Sequence, residues 1–98
     1  MGIRDGEIPN SFIEQMDIVF SNIAGHLEAA GATMSDVIKL TGSIVDMNAE
    51  RRSVYSEVRA SYFSAQSPPP ASTLIGVSGL VNPNLLVEAE AIAIIEID

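Results

Sequence analysis

The 98-residue sequence predicts an α+β sandwich, with two helices packed on one face of a mixed sheet. Three observations carry this reading. Apolar residues at steps of three and four run from Phe12 to Ala30, the stripe of one amphipathic helix. The closing stretch, residues 85–98, alternates with period two and is bounded by the turn Val81-Asn82-Pro83-Asn84, which is a strand signal. Between these lies a strand–helix–strand order, which implies a right-handed crossover and a parallel pair.

In chain order, residues 1–10 read as loop, with two glycines and a proline. Residues 11–30 form the first helix. Ser11 and Glu14 have the spacing of a capping box, the stripe is Phe12, Met16, Val19, Phe20, Ile23, Leu27 and Ala30, and Gly31 is the stop. Residues 36–46 read as a strand, with Ile38, Leu40 and Ile44 on one face and Lys39, Thr41 and Ser43 on the other. Asn48 caps a second helix from Ala49 to about Phe63, whose Val54, Tyr55, Val58 and Tyr62 face inward. Residues 64–71 hold three consecutive prolines and must be an extended loop. Residues 72–80 are partly β-branched and read as a short strand, where Gly76 and Gly79 suggest a bulge or a close approach.

In the last strand Val87, Ala89, Ala91, Ala93, Ile95 and Ile97 point one way, while Leu86, Glu88, Glu90, Ile92, Ile94 and Glu96 point the other. Apolar groups on both faces predict a central strand. A short connection predicts that the last two strands pair antiparallel with each other. Two helices on one side leave the opposite side of the sheet uncovered. Its mixture of isoleucines with Glu88 and Glu90 is expected to be hidden by self-association.

Thirteen acidic against five basic residues give a net charge of −8, which opposes non-specific nucleic-acid binding, and no cation follows Arg59. The absence of cysteine excludes disulfides, thiolate metal sites and a Cys nucleophile. Residues 1–10 are too polar for a signal peptide, and no apolar run reaches the roughly 18–20 residues of a membrane span. The expected setting is soluble and cytoplasmic, with no membrane partner.

Little of the chemistry is specific. His26, the single histidine, sits beside the apolar stripe and reads as a surface residue rather than a base or ligand. No metal spacing, no Ser-His-Asp set and no phosphate loop is visible, so neither metal nor cofactor is expected. Arg51 and Arg52 read as a solvated pair. Glu88 and Glu90 are the exception. They either bond across a subunit boundary or sit in a cleft, where partial desolvation raises a carboxyl pKa and suits it to hold water or move a proton.

Several blocks together carry a resemblance: LEAAGATMSDVIKLT over residues 27–41, Asp46-Met47-Asn48, Tyr62-Phe63, Pro70-Ala71-Ser72-Thr73, Gly76-Val77 and VEAEAIA over residues 87–93. In order and spacing they resemble the Rid (RidA/YjgF, reactive intermediate deaminase; L-PSP endoribonuclease-like) family over about residues 8–98. The resemblance implies a chorismate-mutase-like fold forming homotrimers, with small-molecule clefts between subunits. It implies hydrolysis of enamines and imines to a keto acid and ammonia without any cofactor. Glu88 matches the family's pocket glutamate, which orients the hydrolytic water. Thr73 would offer its backbone N–H to a ligand, with Ser72 and Glu90 beside it.

Two departures from the family pattern are expected to matter. The Pro-Ala-Arg-Ser segment of deaminating members is Pro70-Ala71-Ser72-Thr73 here, without the carboxylate-gripping arginine. Such a loss removes on the order of 2–5 kcal/mol of anchoring. The family's N-terminal hairpin has no counterpart in residues 1–10, so the domain reads as N-terminally short. The leading expectation is an enamine or imine hydrolase of weak or altered activity. The alternative is a non-catalytic small-molecule-binding or regulatory trimer, and endoribonuclease or translation-inhibitor activity is a remote third.

Overall fold

The computed structural model describes the chain except residues 1, 5, 64–68 and 96–98. Its elements are α1 (Phe12–Ala29), a short 3-10 turn (Met34–Asp36), β1 (Val37–Val45), α2 (Ala49–Phe63), β2 (Ala71–Val77) and β3 (Val87–Ala93). Both helices begin where their caps predict. Ser11 Oγ accepts from the Glu14 N–H at 3.4 Å, and Asn48 Oδ1 accepts from the Arg51 N–H at 2.8 Å. Gly31, just past α1, sits at φ +80°, a conformation that a side chain would strain.

The sheet order is β2-β1-β3. β1 and β2 run parallel, as the strand–helix–strand order requires, and β1 and β3 run antiparallel. Two expectations are corrected here. β2 and β3 do not pair with each other, and β3 is an edge strand while β1 is central. Residues 78–86 are long enough to carry the chain from one side of β1 to the other, a distance of about 10 Å at ordinary strand spacing. The two later strands therefore both take their hydrogen bonds from β1.

A third correction concerns Ile38. The β1–β3 register shifts between Val37 and Lys39, so one extra residue sits in β1. The bulge turns Val37 fully inward and leaves Ile38 49% exposed, reversing the expected facing. Gly76 marks no bulge, since the β1–β2 register continues unbroken through it to Val77. β2 starts at Ala71, one residue earlier than expected. β3 stops at Ala93, so Ile94 and Ile95 fall outside the strand expected to include them, and residues 96–98, like most of the proline loop, lie outside the described residues.

Helices and sheet enclose a core of Met16, Val19, Phe20, Val37, Leu40, Ile44, Tyr55, Phe63 and Val87. Phe20 is its hub, with ring centroids 5.9 Å from Tyr55, 5.3 Å from Tyr62 and 6.4 Å from Phe63. Each such fully buried side chain contributes roughly 1.5–3 kcal/mol. One polar side chain lies among them: Gln15 is fully buried on the apolar stripe of α1. Its amide nitrogen donates to the carbonyls of Pro9 (2.8 Å) and Asn84 (3.0 Å), and its Oε1 accepts from the Leu86 N–H at 2.7 Å. These bonds fasten α1 to the turn that launches β3.

Candidate functional site

The pairing register assigns the sheet's two sides. Leu40, Gly42 and Ile44 of β1, with Leu74 of β2 and Val87, Ala89 and Ala91 of β3, face the helices. The alternate residues face away and form rows across the strands. One row is Thr73–Thr41–Glu90, the next is Ile75–Ser43–Glu88, and a third is Ala71–Lys39–Ile92. Neighbours in a row stand about 4.8 Å apart and rows about 6.8 Å apart. Glu88 and Glu90 therefore project side by side from one strand, each beside a hydroxyl of β1.

The setting of the two carboxylates differs. Glu88 is half-buried and Glu90 is exposed. Around them Ile75 and Ile92 are 45% and 54% exposed, and Ile38 and Ile94 are likewise open, so this side of the sheet is oily as well as acidic. Lys39 brings a cation to the same side, in the row beyond Thr41. A face of hydroxyls, carboxylates and uncovered isoleucines can orient a small polar ligand. It can hold a nucleophilic water only where something else keeps bulk solvent out.

The four residues singled out from the sequence are only partly brought together. Glu88, Glu90 and Thr73 share the open side. Ser72 pairs with Leu40, a core residue, and so belongs to the helix side of the β2 edge. It is separated from Glu88 by the sheet itself. Described residues line surface cavities of about 240 Å³ (around Arg4, Pro9 and Ile18), about 450 Å³ (between the starts of the two helices) and about 260 Å³ (between α1 and β3). Glu88 and Thr73 line none of these three. His26 lies in the last, beside Ile23 and Leu27, and not with Glu88. Among the described residues no group of three or more histidine, aspartate or glutamate side chains is arranged to hold a metal, and no helix is long and apolar enough to cross a membrane.

Two residues escaped the sequence reading. Gln15 carries a pattern signal, being a polar residue between Phe12 and Val19 on the buried stripe. Arg51, expected to be solvated, instead donates to the Val45 carbonyl and lies over the Phe12 ring at 5.4 Å. It ties the end of β1 to the starts of both helices.

Comparison with known proteins places these features in context. The family described as Endoribonuclease L-PSP matches residues 1–95. A RutC family protein from Pyrococcus abyssi is 42% identical over 91 residues, covering 90% of this chain and 66% of that protein. A protein from Dermatophagoides farinae named 2-iminobutanoate/2-iminopropanoate deaminase is 35% identical over 97 residues, covering 98% of this chain and 72% of its own length. The crystal structure of a conserved Rid family protein, YyfB from Yersinia pestis, superposes with a TM-score of 0.84 at 31% identity, covering 95% of this chain and 71% of that one. The chain thus spans about two thirds of the length of the curated relatives it matches.

Proposed function

The chain belongs to the endoribonuclease L-PSP (Rid/YjgF) family, and from that premise we propose that it hydrolyses small enamines and imines in a cleft completed by other copies of itself. The observation that carries the reading is the placement of Glu88. It is half-buried on a side of the sheet that is partly apolar and uncovered, with the Ser43 hydroxyl next to it. Three copies turning these sides inward would cover Ile75 and Ile92 and enclose Glu88 at a boundary. The name of the Dermatophagoides relative supports the substrate class. The proposed setting is the cytoplasm.

In this mechanism an enamine first takes a proton at carbon to become the imine. Glu88 accepts a proton from water as the oxygen attacks the imine carbon, giving a carbinolamine. The same proton passes to nitrogen, the carbinolamine hydroxyl then gives up its own proton through Glu88 to that nitrogen as the C–N bond breaks, and ammonia leaves with a carbonyl product. Water and imine are consumed one to one, and neither oxidant nor cofactor enters the balance.

A second reading, a small-molecule-binding trimer without catalysis, is supported by one specific feature. No arginine or lysine follows Arg59, so neither β2 nor β3 offers a cation to a substrate carboxylate. Imines released freshly by a threonine dehydratase separate the two. Ammonia release faster than in buffer supports the hydrolase. Release at the buffer rate, with a thermal shift on ligand addition, supports the binding protein. Ribonuclease action is disfavoured by the −8 charge.

A further inference from the structure

Of the three cavities described above, the one between α1 and α2 is the largest, at about 450 Å³. Its volume falls within the roughly 300–1,000 Å³ of small-molecule sites, which the other two do not reach. Part of its lining is apolar: Phe12 and Val54 are half-buried, and Ile13 is 54% exposed. The rest is polar and carries both signs of charge, with Glu50 and Arg51 adjacent and Asn48 just before them. Arg51 is no loose surface cation. Its guanidinium lies over the Phe12 ring and donates one N–H to the Val45 carbonyl, which fixes the fork and leaves further N–H groups to give. Asn48 spends its side-chain oxygen on the Arg51 backbone N–H, so its amide NH₂ is also a donor. A donor group ordered in advance loses little freedom when a ligand arrives.

From these features we propose that this pocket binds a small zwitterion with an apolar tail, an α-amino acid of about leucine's size. The carboxylate takes hydrogen bonds from Arg51 and the Asn48 amide, the ammonium faces Glu50, and the tail lies against Phe12, Ile13 and Val54. Charge selects this class over simpler ones. A plain carboxylate would meet Glu50 in a chain of net charge −8, and a plain amine would meet Arg51. A zwitterion satisfies both side chains at once.

The pocket belongs to the helix layer, on the opposite side of the sheet from Glu88, so this site and the proposed cleft fail separately. Titrating the whole chain with leucine, while following backbone amide shifts by NMR, tests it. Saturable shifts at Ile13, Asn48, Glu50 and Arg51 are expected at millimolar leucine. Leucine without its amine (4-methylpentanoate) and leucine without its carboxylate (3-methylbutylamine) should each bind about tenfold more weakly. No shifts, or shifts centred on Ser43 and Glu88, overturn the proposal, and so does 4-methylpentanoate binding as tightly as leucine. Glu50→Gln, at an exposed position, is expected to weaken leucine about tenfold without weakening 4-methylpentanoate. Tighter leucine binding by that variant counts against the zwitterion. Asn48→Asp keeps the helix cap but replaces the donor with a charge, and should lower leucine affinity at an unchanged melting temperature. Ile13→Ser should weaken leucine and leave glycine unaffected, and equal loss for both would remove the tail from the site.

Discussion

The phenol of Tyr55 rests directly on Gly42, at the centre of β1. A β-carbon at position 42 would overlap the Tyr55 oxygen and the ring carbons beside it. Glycine at this position is therefore a packing requirement, not a flexibility device.

Gly42→Ala is expected to destabilise the fold by about 1–3 kcal/mol, because a rigid, fully buried ring must be displaced. Chemical denaturation measures it. Repeating the substitution in a Tyr55→Leu background should shrink the cost, and an unchanged cost would place the strain elsewhere.

Tyr55 also predicts an alkaline limit. Burial pushes its pKa from 10.0 up to about 12, with Arg59 acting weakly in the opposite direction. Below pH 10 the phenol is protonated folded or unfolded and contributes no slope. Between pH 10 and about 12 the unfolded chain releases the proton and the folded chain keeps it, so stability falls with rising pH, by roughly 2–3 kcal/mol in all. Tyr55→Phe should flatten that part of the profile. It should cost little at neutral pH, because the hydroxyl has no hydrogen-bond partner among the described residues.

Gln15→Leu keeps the volume and removes the bonds to Pro9, Asn84 and Leu86. Stranding these backbone groups should cost about 2–4 kcal/mol. Gln15→Glu can still accept from Leu86 but faces two carbonyls that need a donor. Its stability should therefore recover at acidic pH, where the carboxyl is protonated. Thermal melts at two pH values are enough to decide.

Glu88→Gln is expected to lower imine-dependent ammonia release about 10²–10⁴-fold with an unchanged melting temperature. Glu90→Gln, at the exposed neighbour, should have a much smaller effect. Equal rates for Glu88→Gln and the parent chain would remove the general base from the mechanism.

Both helices and the extended stretches were legible from local pattern, since caps at Ser11 and Asn48 and periodicities of 3.6 and 2 are properties of short segments. Neighbour order was not. Alternation in residues 87–93 says which side chains share a face, but it is silent on which strand lies alongside, so β3 looked central and lies at an edge. The bulge at Ile38 escaped for a related reason. One inserted residue reverses every facing on one side of it, and composition leaves no trace of the insertion. At the site, the open-side grouping of Glu88, Glu90 and Thr73 follows from parity once the register is known. Ser72 fails the same parity test, although it adjoins Thr73 in sequence.

The bond from Leu86 to Gln15 joins residues 71 positions apart, and α1 is seated on β3. Helix and strand therefore hold each other in place across the length of the domain, so the two are expected to melt as one unit, and neither would keep its shape if the other were peeled away.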